Sequence, residues 1–241
     1  MILLLRDFLL NPGTVCSIKK LSWINFLYLF LIEFVILTIV TGISQHFFGS
    51  FSVIFEYHIQ EIKEYIFIFL ILAVIIFPIY EELLHRYYLN HQYKSLFISA
   101  ILLLIHYFLT FDQQNPLLNA IHFMGFLYVT VILILKEAYG LINMKLMIWG
   151  SILFFGLFHL GNYESEIYTN NFILIFILVI PQFIGGFFMA FMRIRYGLLH
   201  SILYHGFFNL VITILGLLEY SFFPENYDTS INFFGYIDFM V

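Results

Sequence analysis

The chain has 241 residues, of which 62% are hydrophobic and 10% charged, and it carries a net charge of −5. Soluble domains hold about 45–50% apolar and about 25% charged residues, so this composition excludes a soluble globular protein. No basic cluster points to nucleic acid, and the single cysteine, Cys16, excludes an internal disulfide and any cysteine-built metal site.

In chain order, residues 1–20 read as a short interfacial segment. Seven apolar segments follow at 21–43, 65–79, 95–111, 117–135, 146–160, 172–191 and 198–218. Each is judged against the ~20 residues that a helix needs to cross a bilayer. No secretory cleavage site follows the first, which reads as an anchor that stays. Residues 219–241 are aromatic and acidic and read as an irregular tail. The expectation is one all-α membrane domain over 1–241, a polytopic bundle of about seven transmembrane helices spanning 21–218. The second helix, lacking Gly or Pro between Leu83 and Gln92, is predicted to run on to about Tyr93. His46 and His58 are assigned to the loop after the first span.

The charges orient this bundle. Arg6, Lys19, Lys20, Arg86, Lys94, Lys136, Lys145, Arg193 and Arg195 fall on one side, nine of the ten basic residues. The other side carries Glu56, Glu61, Glu64, Asp112, Glu164 and Glu166, with Lys63 as its one base. The positive-inside rule makes the basic side, and the amino terminus, cytoplasmic. The protein is expected as a multi-pass protein of the cell membrane.

One stretch breaks the apolar pattern. Glu81-Glu82-Leu83-Leu84-His85-Arg86 follows fifteen uncharged residues, 66–80. An ionised side chain at membrane depth costs about 2.5–3.5 kcal/mol, and such residues usually mark a functional site. Glu82 and Arg86, at i and i+4, share a helix face and can neutralise each other. Glu81 is turned about 100° away and cannot share that pair equally. With the second helix continuing to Tyr93, Glu81 stands ~18 Å above its cytoplasmic end, His159 is ~21 Å up from Lys145, and His205 and Asn209 are ~15 and ~21 Å up from Arg195. The four can therefore meet in one layer. His205 and Asn209 share a face, and Gly156 would let a neighbouring helix come close to the His159 segment. A carboxylate facing a histidine can activate water as a general base. A second histidine and an amide can donate hydrogen bonds to the oxyanion formed when that water attacks a carbonyl.

The pattern Glu81-Glu82…Arg86, then Phe155…His159, then His205…Asn209 resembles the intramembrane proteases known as the CPBP, CAAX prenyl protease or Abi family. The resemblance covers about 66–218 and takes in Gly185-Gly186 and Arg195. It implies a glutamate-dependent endopeptidase cutting a membrane-associated or prenylated peptide, with Glu81 and His159 activating water and His205 and Asn209 holding the oxyanion. Glu82 and Arg86 would be structural support, and no cofactor is expected. The chain departs from the family in two ways. His85 stands where an apolar or aromatic residue is usual. The 78 positions from Glu81 to His159 also leave room for an extra hairpin, 95–135, bearing His106 and His122. His106 is the rival partner for Glu81; His159 is preferred because it alone has the Phe-x-x-x-His context.

Other classes stay open. A proton-coupled transporter also buries Glu and His, although no matching pair of interrupted half-helices is present. A non-catalytic peptide-binding or bacteriocin-immunity scaffold could keep the same residues. A zinc enzyme would take Glu81, His159 and His205 as ligands, without a His-Glu-x-x-His motif to support it.

Overall fold

A computed structural model describes residues 1–12, 20–48, 65–90, 92–139, 143–162 and 172–222. The expectations for Cys16, His58, the acidic loops at 49–64 and 163–171 and the tail beyond 222 lie outside them; residues 219–222, expected in the irregular tail, instead continue the last helix. The described residues form helices and no strand: α1 (Ile2–Leu10), α2 (Trp23–Phe48), α3 (Ile66–His85), α4 (Tyr93–Leu109), α5 (Pro116–Tyr139), α6 (Met144–Phe158), α7 (Phe172–Tyr196) and α8 (Leu198–Phe222). Each of the seven apolar segments became a helix. Five of these are long and apolar enough to cross a membrane, namely 23–43, 66–85, 116–138, 144–161 and 198–218, and α4 is a shorter apolar helix. His46, expected in a loop, falls inside α2, which continues past Ile43 to Phe48.

Local sequence accounts for several helix ends. Asn143 Oδ1 accepts the Leu146 amide and caps α6, while Asn115 Oδ1 accepts the Leu118 amide ahead of Pro116 in α5. Gly197, at φ +98°, is the left-handed residue that separates α7 from α8.

The bundle is apolar outside, and its largely apolar core also buries charged and polar side chains. Trp23, Ile24 and Phe67 are about four-fifths exposed, whereas Glu33, Glu82, Arg86 and Ser201 are fully buried. Lipid rather than water is the solvent that such a surface matches. This is an integral membrane helix bundle. Helix α7 packs against α2, α6 and α8, and α3 lies against α4, α6 and α8. The hairpin α4–α5 flanks this group, with α4 against α3 and α5 against α6. The amino-terminal α1 seats Phe8 against Phe187 and Phe191 of α7.

Helix α3 departs from expectation twice. It ends at His85; Arg86 leaves helical geometry at φ −129°, and 87–90 form a short 3₁₀ turn instead of continuing to Tyr93. The cause is tertiary. Ser99 of α4 donates to the Leu83 carbonyl, Ser151 of α6 to that of His85, and Arg193 of α7 to those of Arg86 and Tyr87. Carbonyls at a helix end need such donors inside a bilayer. With the helix stopping there, Glu81 stands only about 6 Å from its end rather than ~18 Å. The second departure is a π-helical turn, Leu72–Ile76, within α3.

Candidate active site

Glu82 and Arg86 form the floor of the site. Both side chains are fully buried, and an Nη1 hydrogen of Arg86 is donated to Glu82 Oε1. Ser201 of α8 donates to Glu82 Oε2 at 2.5 Å. The Arg86 guanidinium lies over the Phe155 ring, 4.1 Å from its centroid, a cation–π contact. Room for it comes from α7, where a Cβ at Gly186 would lie 3.0 Å from the Phe155 ring and 3.6 Å from Arg86 Nη2.

Glu81 is offset from Glu82 by about 100° around the helix. Its Oε2 lies 3.5 Å from His205 Nε2 and 4.0 Å from His159 Nε2. The His205 ring spans the two carboxylates, since its Nδ1 lies 3.4 Å from Glu82 Oε1. His159 is the C-cap of α6, and its Nδ1 is 2.7 Å from the Phe155 carbonyl. A carbonyl only accepts, so Nδ1 carries the hydrogen, and in the neutral ring the Nε2 lone pair faces Glu81. At 4.0 Å the pair is too far apart for a direct hydrogen bond but within the span of one water molecule bonded to both.

Asn209, expected beside these groups, has its amide engaged with the backbone of α3. Its Nδ2 donates to the Ala73 carbonyl at 2.8 Å, inside the π-helical turn. Gly206, one turn back, permits this approach, because a Cβ there would sit 2.3 Å from the Val74 carbonyl oxygen. Gly156 also behaves as expected: a Cβ would lie 2.2 Å from the Phe183 ring of α7.

The structure separates the rival histidines from Glu81's partners. His106 Nδ1 lies 2.9 Å from the Tyr80 hydroxyl, and His122 Nδ1 lies 2.7 Å from the Thr110 hydroxyl. His85, the departure beside Arg86, is buried edge-on to Phe155 and Phe158, so it fills the aromatic place by shape. Among the described residues, no group of three or more His, Cys, Asp or Glu is arranged to hold a metal ion.

Sequence reasoning missed four contributors. Phe155 served only as motif context, yet its ring touches Arg86, His159 and His205. Ser201 lies four residues before His205, a spacing that could have put it on the same face. Arg193 counted only as a topological charge. Glu33, fully buried on α2, accepts a hydrogen bond from Tyr204, the neighbour of His205.

The comparison with known families decides the identity. The model of the Type II CAAX prenyl endopeptidase Rce1-like family matches residues 63–211, well over half the chain. The chain belongs to this family. All three motif groups of this Rce1-like chain, from Glu81 to Asn209, fall inside the match, as does the α4–α5 hairpin. Membership supports a CAAX-type intramembrane endopeptidase in general, working in lipid on a peptide or protein substrate. No curated protein and no solved structure matches the chain.

Proposed function

We propose that this Rce1-like protein is an endopeptidase of the cell membrane, with seven spans and a cytoplasmic amino terminus. Its substrate is a membrane-associated peptide or protein that ends in a prenylated cysteine motif. The observation that carries this reading is the position of the Glu81 carboxylate, opposite two histidine Nε2 atoms at 3.5 and 4.0 Å in a chain of this family.

In the reaction, a water molecule sits between Glu81 and His159. One of its hydrogens is transferred to the carboxylate, the other stays on the oxygen and is hydrogen-bonded to His159 Nε2, and that oxygen attacks the scissile carbonyl carbon. The C=O π bond becomes an oxyanion as the new C–O bond forms. When the C–N bond breaks, the proton held by Glu81 passes to the leaving amine, and the products are a carboxylic acid and an amine. His205 lies against the same carboxylate and is one donor to the oxyanion. Asn209 is the other, since an amide nitrogen has two hydrogens and the Ala73 carbonyl takes only one. Glu82, Arg86 and Ser201 hold His205 in place.

The test is cleavage of a farnesylated peptide ending in Cys-aliphatic-aliphatic-X by the purified chain in detergent, with products identified by mass. Release of the last three residues, undiminished by a strong chelator, is the expected result. Activity that tracks one bound metal ion per chain would replace direct base catalysis with a metal site at Glu81, His159 and His205. An intact peptide would refute the prenylated substrate.

A further inference from the structure

We propose that His106, on the extra hairpin, is a positioning residue that ties the turn bearing Glu81 to the turn bearing His159; this rests on Glu81 and His159 acting together as described above. The residue before Glu81 is Tyr80, whose hydroxyl is 2.9 Å from His106 Nδ1. The residue before His159 is Phe158, whose ring stacks on His106 with centroids 5.2 Å apart and planes only 9° from parallel. One imidazole therefore grips the immediate neighbour of each member of the proposed base–histidine pair. It does so from α4, an element to which neither belongs.

The His106 ring is itself braced. His122 of α5 lies 4.6 Å from it and 4.5 Å from Phe158, centroid to centroid. The tautomer of His122 follows from its partner. Thr110 has one hydroxyl hydrogen, which it donates to the His106 carbonyl at 2.9 Å, so at 2.7 Å it accepts from His122 Nδ1–H. His85 also lies against Phe158, edge-on at 4.7 Å. Three histidines from α3, α4 and α5 thus enclose the ring that precedes His159.

A purely packing role does not account for histidine here. His106 and His122 are 2% and 3% exposed, and the Nε2 atom of each is buried without a hydrogen-bond partner among the described residues. A phenyl ring would stack on Phe158 equally well and leave no orphaned nitrogen, which is costly in such surroundings. What a phenyl ring lacks is the bond to Tyr80. Reacting groups must be held close to their productive geometry, and a displacement of about 1 Å can cost about 10²-fold in rate.

The experiment uses the full chain in detergent with the farnesylated Cys-aliphatic-aliphatic-X peptide. Tyr80→Phe and His106→Phe each remove the hydroxyl–imidazole bond while keeping the rings. Each should lower kcat on the order of tenfold with KM within about twofold, and the double variant should fall no further than either single one. His106→Asn, which retains a hydrogen-bonding partner for the Tyr80 hydroxyl, should recover part of kcat. Tyr80 is half-buried, so Tyr80→Phe decides the matter if the His106 variants do not fold. A second readout needs no turnover: the His159 imidazole nitrogen resonances of ¹⁵N-histidine protein should move in Tyr80→Phe. Normal kcat in both single variants while Glu81→Gln is inactive overturns the tether and leaves the base assignment standing. Full turnover by Glu81→Gln overturns the base assignment instead. If the peptide is not cut by the wild type, unmoved His159 resonances in Tyr80→Phe overturn the tether.

Discussion

Phe155 organises the site at the scale of single residues. Its ring carries the Arg86 cation and its carbonyl orients His159, so one position serves both the structural ion pair and the proposed catalytic histidine. The buried Glu82–Arg86 pair beneath it is proposed to serve stability. Removing one partner of a buried pair leaves the other charge uncompensated and costs about 3–5 kcal/mol. Arg86→Met should therefore lower the unfolding midpoint in detergent steeply, and an unchanged midpoint would mean that Glu82 is compensated by something other than Arg86. Asn209→Ala should act on both counts. Loss of an oxyanion donor is expected to reduce kcat by about 10²–10³. The Ala73 carbonyl, left without its donor, should cost about 1–3 kcal/mol of stability. A variant that lost stability but kept turnover would assign Asn209 to the scaffold alone.

Helix α3 is where elements matter most. Its π-helical turn presents the Ala73 carbonyl to Asn209, and Gly206 lets α8 approach the backbone there. A Cβ at Gly206 meets a backbone carbonyl at 2.3 Å, while a Cβ at Gly156 meets only the Phe183 ring, at 2.2 Å. A ring can turn aside and a backbone cannot. Gly206→Ala should therefore destabilise the protein more than Gly156→Ala, with overpacking costing about 1–3 kcal/mol; thermal unfolding of the two variants side by side checks the order. The same helix marks how far sequence reading reaches. Positions of the apolar segments were legible because a bilayer demands length and hydrophobicity. Glu81, His159 and His205 were legible because charge and imidazole are rare at such depth and recur at motif spacing. The end of α3 at His85 was not, because its carbonyls are capped by Ser99, Ser151 and Arg193 from three other helices. The π-helical turn was legible only in part: Pro78 lacks the amide N–H that would close an α-helical turn onto the Val74 carbonyl, but Leu72-Ala-Val-Ile-Ile76 itself carries no sign of it.

Across the whole molecule, an apolar exterior surrounds an interior in which one carboxylate, Glu81, is set opposite two histidines by α3, α6 and α8. The family match at 63–211 supports an endopeptidase in general, and the proposal is that this arrangement performs the cleavage. A scaffold that only binds peptide would need the shape of Glu81 but not its basicity, and a transporter would need its charge for coupling rather than for cleavage. The most direct measurement is turnover of the farnesylated peptide by wild type and Glu81→Gln at equal amounts of folded protein. Gln keeps the size and hydrogen-bonding capacity of the side chain and removes the base. The account predicts a fall in kcat of about 10²–10⁴-fold with an unfolding midpoint close to that of wild type. Full turnover by Glu81→Gln would contradict it.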